Sequence, residues 1–343
     1  MDTIALTGPS AALPMEFPLF RARPPWWGGD LQTLRNFLMH RRAPIASPPE
    51  RLELPLRDGS GDRLVGTLHR VFNAAVKRPL AILVHGLSGC EDSFYIRKSA
   101  AYLLSLGFPV LRLNLRGAGP SRPLCRFQYH AGRTEDFADA LAALPGDLRE
   151  HGTVAVGYSL GANMLLKFLG ERGAAAAINA VVAVSAPLDL AATARRMMKL
   201  RNRVYQSYLL RNMRQEALAP GAEVTGTERA AILAARSIWE FDDVFSAPRN
   251  GYAGVEEYYE RNAAKGYLDG IAVPTLMIQA LDDPWIPAAP YRAYDWRRNA
   301  SLVPLLPRRG GHVGFQGRDR RVPWHDLCAA RFLGAAPVEL TLP

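Results

Sequence analysis

The apolar run 153–156 ends in Gly157-Tyr158-Ser159-Leu160-Gly161, and the helix-forming stretch 162–169 follows at once. This G-x-S-x-G segment constrains the fold more than any other feature, because it demands a sharp turn between a strand and a helix. A serine hydroxyl is a weak nucleophile at neutral pH. It becomes useful when such a turn exposes it beside a base. A side chain at either glycine would collide with neighbouring backbone in so tight a turn.

The residues that could activate Ser159 follow it in the chain. Ala280-Leu281-Asp282-Asp283-Pro284 closes the apolar run 274–278 and supplies carboxyls; Gly310-Gly311-His312-Val313-Gly314-Phe315 follows the run 301–306 and supplies a histidine. The order serine, acid, histidine is the one α/β-hydrolases use, whereas chymotrypsin-like and subtilisin-like enzymes order the three differently. Asp282 and Asp283 both remain open for the acid. Asp189, after Ser185-Ala186-Pro187, is a third candidate, with helix capping as its simpler role.

Upstream, the run 80–84 reads as a buried strand entering His85-Gly86-Leu87-Ser88-Gly89. By motif position, the N–H groups of Leu87 and Leu160 would face the oxyanion formed during acyl transfer. Gly86 and Gly89 let this loop approach a substrate closely. His85 is expected to pin the loop by hydrogen bonds rather than to move protons, since His312 is the better-placed base.

The remaining runs set the fold class. Segments 51–57 and 64–72 read as strands joined by the turn Asp58-Gly59-Ser60-Gly61. Next come a helix at 95–106 stopped by Gly107, a strand at 110–115, a helix opened by Thr134 as its cap, the elbow, and a strand at 180–184. Strands alternating with helices indicate an α/β-hydrolase fold, a mostly parallel sheet flanked by helices, with ligands at the strand C-terminal ends. Residues 51–186 and 271–343 are read as the core and 1–50 as an N-terminal arm. Between them, 187–270 far exceeds one crossover, and its helical patterns at 191–203, 204–215 and 227–239 read as a cap insertion over the site.

Composition narrows the setting. The chain has 343 residues and 48% hydrophobic content, enough for a sizeable core, and no stretch reaches the apolar length of a membrane span. The first twenty residues lack a signal-peptide pattern, and Cys90, Cys125 and Cys328 form no even disulfide set, so a cytoplasmic address is expected. Net charge is +10, but lysine occurs only at 77, 98, 167, 199 and 265, and arginine enrichment is a compositional trait; no nucleic-acid partner is assigned. The basic residues from Arg195 to Arg214 read as a solvated helix face or as a surface for transient contact with an acidic membrane. No metal-ligand spacing, P-loop or dinucleotide fingerprint is present, and no cofactor or metal is expected.

Several blocks resemble the YheT-like α/β-hydrolases, a family of bacterial hydrolases, eukaryotic esterases and phospholipases, and yeast ester-forming acyltransferases. Pro25-Trp26-Trp27-Gly28-Gly29-Asp30-Leu31-Gln32-Thr33-Leu34 is similar to its N-terminal element, with Asp30 at the usual histidine. Further matches are His85 to Gly89, Asn114 to Gly117, Tyr129-His130-Ala131-Gly132 with Thr134 and Asp136, and Phe241-Asp242-Asp243 through Ala247-Pro248, Gly251-Tyr252 and Tyr258-Tyr259. The resemblance implies Ser159 as nucleophile, Asp283 as orienting acid and His312 as base. It also implies a serine carboxylesterase or lipase-like enzyme acting on small-molecule esters of short to medium chain, or on acylglycerol or phospholipid-like lipids. Alcohol acyl transfer, thioester or haloperoxidase-like chemistry would use the same triad, and a non-catalytic binding protein would use the same fold.

Overall fold

The computed structural model describes residues 16–38, 44–71, 76–318 and 321–334. The expectations for the first fifteen residues, for part of the arm at 39–43 and for Phe72 as a strand end lie outside them. The strands are β1 (Pro49–Pro55), β2 (Arg63–His69), β3 (Leu80–Val84), β4 (Val110–Leu113), β5 (Thr153–Tyr158), β6 (Ala180–Val184), β7 (Thr275–Ile278) and β8 (Leu302–Leu305). They form one eight-stranded sheet of order β1-β2-β4-β3-β5-β6-β7-β8. β1 pairs antiparallel with β2 and β2 with β4; every other pairing is parallel.

Why these segments are strands follows from their burial. β3, β4, β5, β6 and β7 are buried at every position, as expected of parallel strands covered on both faces. Side chains alternate between two apolar layers. Leu80, Ile82 and Val84 join Phe137, Leu165 and Met213 on one side. Ala81 and Leu83 join Ile96, Leu103 and Trp324 on the other.

The helices used below are α1 (Gly29–Leu38), α2 (Phe94–Ser105), α3 (Thr134–Ala143), α4 (Leu160–Arg172), α5 (Leu190–Met197), α6 (Arg203–Ala217), α7 (Gly226–Ala234), α8 (Val255–Asn262) and α9 (Trp324–Gly334). α2 and α9 cover one face; α3 and α4 cover the other. α5 to α8 lie in the long connection from β6 to β7.

Three local expectations are corrected. Thr134 does not cap α3: the cap position is Arg133, and the Thr134 hydroxyl donates to Glu171 at 2.6 Å. The helix expected over 191–203 stops at Met197, because buried Asn202 donates to the Arg196 carbonyl at 3.0 Å and turns the chain into α6. The helix expected over 227–239 ends at Ala234, where the Arg214 guanidinium of α6 takes the Ile232 and Leu233 carbonyls at 3.2 Å each. Such carbonyls lack partners at any helix end.

Candidate active site

β5 runs into Ser159 with φ 51° and ψ −120°, and α4 starts at the next residue. A non-glycine residue in this region costs about 1–3 kcal/mol and persists only where its surroundings hold it. Here they do. The Ser159 N–H donates to the Val184 carbonyl at 2.9 Å, and the Ser159 carbonyl accepts from Asn163 N at 3.1 Å. A Cβ on Gly161 would lie 2.3 Å from the His85 carbonyl oxygen, and one on Gly157 would lie 2.8 Å from Ala162 Cα, so both elbow glycines are required by contact.

Two loops, after β7 and β8, bring the partners to this serine. His312 Nε2 lies 3.1 Å from Ser159 Oγ, and His312 Nδ1 lies 2.9 Å from Asp283 Oδ2. Trp285 N and Ile286 N donate to Asp283 Oδ1 at 2.8 and 3.0 Å. With the carboxylate as acceptor, Nδ1 carries the proton and Nε2 is left to accept from the serine. The neighbouring acid points elsewhere: Asp282 Oδ1 accepts the backbone N–H of Gly311 at 3.0 Å. Asp189 accepts from Ala192 N at 2.8 Å and pairs with Lys265 at 2.5 Å, so it caps α5.

The loop after β3 is pinned from several directions. Leu115 N donates to His85 Nε2 at 3.1 Å, and His85 Nδ1 donates to the Gly86 carbonyl at 2.8 Å. Burial pushes the His85 imidazole down to about 4, which keeps it neutral and in this structural role. Ser88 N donates to Tyr129 Oη at 2.7 Å, and Gly86 N to Tyr95 Oη at 3.0 Å. Among the described residues, the N–H groups of Leu87 and Leu160 make no hydrogen bond within the chain, and both residues line the cavity that contains Ser159 Oγ. A Cβ on Gly86 would lie 2.9 Å from Ser159 Cβ, so only glycine allows the loop this close.

Sequence reasoning missed the supports around His312. The loop carries left-handed residues at Gly311, Val313 and Phe315. α1 holds it: His312 N donates to Thr33 Oγ1 at 2.8 Å, and Asn36 Nδ2 donates to the Val313 carbonyl at 2.9 Å. Arg196 of α5 donates to the Asp283 and Pro284 carbonyls at 2.9 Å each, which gives one member of the basic segment an internal role. Another, Arg201, pairs with Asp30 of α1 at 2.8 Å, and Tyr205 reaches the same carboxylate at 3.1 Å. The family-block similarity around residues 25–34 marked α1 as noteworthy, but spacing alone could not connect it to His312.

The cavity over Ser159 is about 410 Å³. Leu87 and Trp285 wall it from the sheet side; Met197, Leu209 and Met213 come from α5 and α6. Tyr208 also lines it. Met198, 43% exposed, does not. No helix among the described residues is long and apolar enough to cross a membrane, and no group of three or more His, Cys, Asp or Glu side chains among them is placed to hold a metal ion.

The sheet order and the elbow define an α/β hydrolase, and comparison with known proteins agrees. Residues 79–315 match the family described as the alpha/beta hydrolase fold. The chain is 35% identical over 294 residues to "Putative esterase YheT" of Escherichia coli, an overlap covering 84% of each protein. It belongs to the α/β hydrolase fold family, among the YheT-like members. It is also similar to "Medium-chain fatty acid ethyl ester synthase/esterase 2" of Saccharomyces cerevisiae, at 29% identity over 75% of this chain and 62% of that one. "Phospholipase ABHD3" of Homo sapiens is 25% identical over 84% of this chain and 71% of its own. Among solved structures, the Pyrococcus furiosus esterase Pf2001 shares the fold with a TM-score of 0.55 at 16% identity, over 84% of this chain and 93% of that one. The chain is a hydrolase of esterase or lipase type.

Proposed function

We propose that the protein is a serine carboxylic-ester hydrolase that forms an acyl-Ser159 intermediate from short- to medium-chain esters, including acylglycerol or phospholipid-like lipids. The observation that carries this reading is the unbroken line from Asp283 Oδ2 through His312 to Ser159 Oγ at 2.9 and 3.1 Å, opening into a largely apolar cavity. Ser159 Oγ attacks the ester carbonyl carbon as His312 Nε2 takes its proton. Asp283 holds the ring in the required tautomer. The oxyanion is received by the Leu87 and Leu160 N–H groups, each worth roughly 3–4 kcal/mol in such a position. When the carbonyl re-forms, the alcohol leaves with the proton from His312. Water then attacks the acyl-serine, giving its proton to His312, and the carboxylic acid departs as Ser159 recovers the proton.

The substrate class is supported by the apolar lining and by the names of the relatives, an esterase, an ethyl ester synthase/esterase and a phospholipase. We assign residues 187–270 the role of a cap, because α5 and α6 supply cavity wall that the sheet does not. Its outer side exposes Leu200 and Val204, at 82% and 78%, among Lys199, Arg203 and Arg211. That combination suits transient contact with an anionic membrane surface.

The test is covalent labelling by a fluorophosphonate, which reacts only with an activated serine. Labelling in the wild type that vanishes in Ser159→Ala supports the assignment. Persistent labelling in that variant, or none in the wild type, overturns it.

A further inference from the structure

The chain carries a net charge of +10. Among the described residues, however, no lysine or arginine lines the cavity over Ser159, whereas three carboxyls do: Asp92, Glu216 and Asp242. Asp92 is matched by cations, with Arg97 at 2.9 Å and Arg112 at 3.2 Å. The other two bond to neutral hydroxyls. Tyr129 Oη donates to Glu216 Oε2 at 3.1 Å; Tyr259 Oη and Ser246 Oγ donate to Asp242 at 2.6 and 2.7 Å. His130, which also lines the cavity, is kept neutral by burial, which pushes it down to about 3.

A half-buried carboxyl, Glu216, and a buried one, Asp242, both without a bonded cation, are a destabilising choice for a largely apolar cavity. Their location gives them a use. Glu216 projects from α6, and its partner Tyr129 Oη accepts the N–H of Ser88, the residue after Leu87. Glu216 is therefore two hydrogen bonds from the loop assigned to the oxyanion. Asp242 opens the π-helical turn Asp242–Ser246, a backbone irregularity that recurs at functional sites. In a cavity walled mostly by apolar side chains, charge acts more strongly on a ligand than it would in bulk water.

We propose that Glu216, reinforced by Asp242, sets a charge rule for this cavity: it admits ligands of net positive or zero charge, zwitterionic phospholipid-like esters included, and rejects those of net negative charge. The rule deepens the ester-hydrolase reading, and as a substrate rule it rests on that reading; as a statement about binding it stands alone. It also favours release of product, because the carboxylic acid ionises once it is formed. A repulsive element of this kind discriminates as effectively as an attractive one.

Burial pushes Glu216 up to about 7 and Asp242 up to about 6, so both carry charge at pH 8. The groups acting on Glu216 are Tyr129, Ser88 and the more distant Arg122, and only Arg122 is charged.

The experiment uses the full chain and two readouts. Hexyltrimethylammonium, 1-hexanol and hexanesulfonate are titrated at pH 8 and followed by the fluorescence of Trp285, which lines the cavity; a Trp285→Phe control isolates its signal. Separately, kcat/KM is compared for butyrylcholine, its uncharged isostere 3,3-dimethylbutyl butyrate, and 3-sulfopropyl butyrate. The wild type is expected to bind the cation about tenfold or more tightly than the anion, a Coulombic preference of ordinary size for a partly buried charge. Glu216→Gln should cut that ratio several-fold, with Asp242→Asn as the second variant should the first fail to fold. Equal affinity for the three ligands in the wild type, or an unchanged ratio in a folded variant, overturns the rule and leaves the carboxyls as tethers. Charge-selective binding without ester turnover would uphold the rule and defeat the hydrolase reading.

Discussion

Trp285 lies flat over His312, with ring centroids 4.3 Å apart and planes 27° apart. The same residue donates its backbone N–H to Asp283, so it touches both residues proposed to present a proton acceptor to Ser159. Tyr205 packs edge-on against Trp285, with ring centroids 5.5 Å apart. The stack restrains the imidazole against rotation out of the Ser159–Asp283 line. We expect Trp285→Ala to lower kcat by about tenfold or more, since small misalignments of a reacting group carry penalties of this order, and Trp285→Phe to recover most of it. Steady-state kinetics on a p-nitrophenyl ester would decide. An unaltered kcat in the alanine variant would reduce the stack to packing.

The adjacent aspartates give a sharper contrast. Asp283→Asn should lower kcat by roughly 10³–10⁴, as loss of the orienting carboxylate does in other serine triads. Asp282→Asn keeps a side-chain oxygen that can still accept the Gly311 N–H and should cost tenfold or less. The reverse ranking would transfer the orienting role to Asp282.

The third expectation concerns α1. Thr33 Oγ1 accepts the His312 N–H and itself donates to the Gly29 carbonyl at 2.7 Å. Thr33→Val keeps the shape and removes the acceptor. A buried N–H left without a partner costs about 1–3 kcal/mol, and here the loss falls on His312, the proposed base. We expect kcat to fall about tenfold with KM changed less than about twofold, and Thr33→Ser to recover most of the activity. Equal losses in the serine and valine variants would show that the hydroxyl is not what matters.

How much of this could be read from the chain depends on the range of the contact. β3 and β6 were legible to the residue because a short, fully apolar run has few other fates in an α/β chain. The positions of Ser159 and His312 at strand ends were legible because each follows such a run in a distinctive glycine-rich turn. The choice of Asp283 over Asp282 needed the resemblance to a family, since a one-residue step reverses a side chain's direction and spacing alone left both open. Thr33 lies 279 residues from the N–H that it accepts, and no local pattern announces a partner at that distance. The breaks at Asn202 and Ala234 were hidden for a related reason. Each is set by a side chain that takes a helix-end carbonyl, while the apolar periodicity runs on past it.

The last expectation separates cavity wall from surface within one dipeptide. Met197 is buried and lines the cavity, whereas Met198 is 43% exposed and does not reach it. Shortening Met197 opens room along the path available to an acyl chain, and each further buried methylene contributes about 0.8 kcal/mol, close to fourfold in kcat/KM. In Met197→Ala, the optimum across p-nitrophenyl esters from acetate to palmitate should therefore move to longer chains. Met198→Ala should leave it where it was. Met197→Ala will also lose stability, because a buried methionine cut to alanine typically costs about 2–5 kcal/mol, so thermal melts must accompany the kinetics. A shifted optimum in a folded Met197→Ala, with none in Met198→Ala, places the acyl chain against α5. A fixed optimum with only a lowered Tm would make Met197 core packing and move chain-length selection to the α6 residues Leu209 and Met213 that share the cavity.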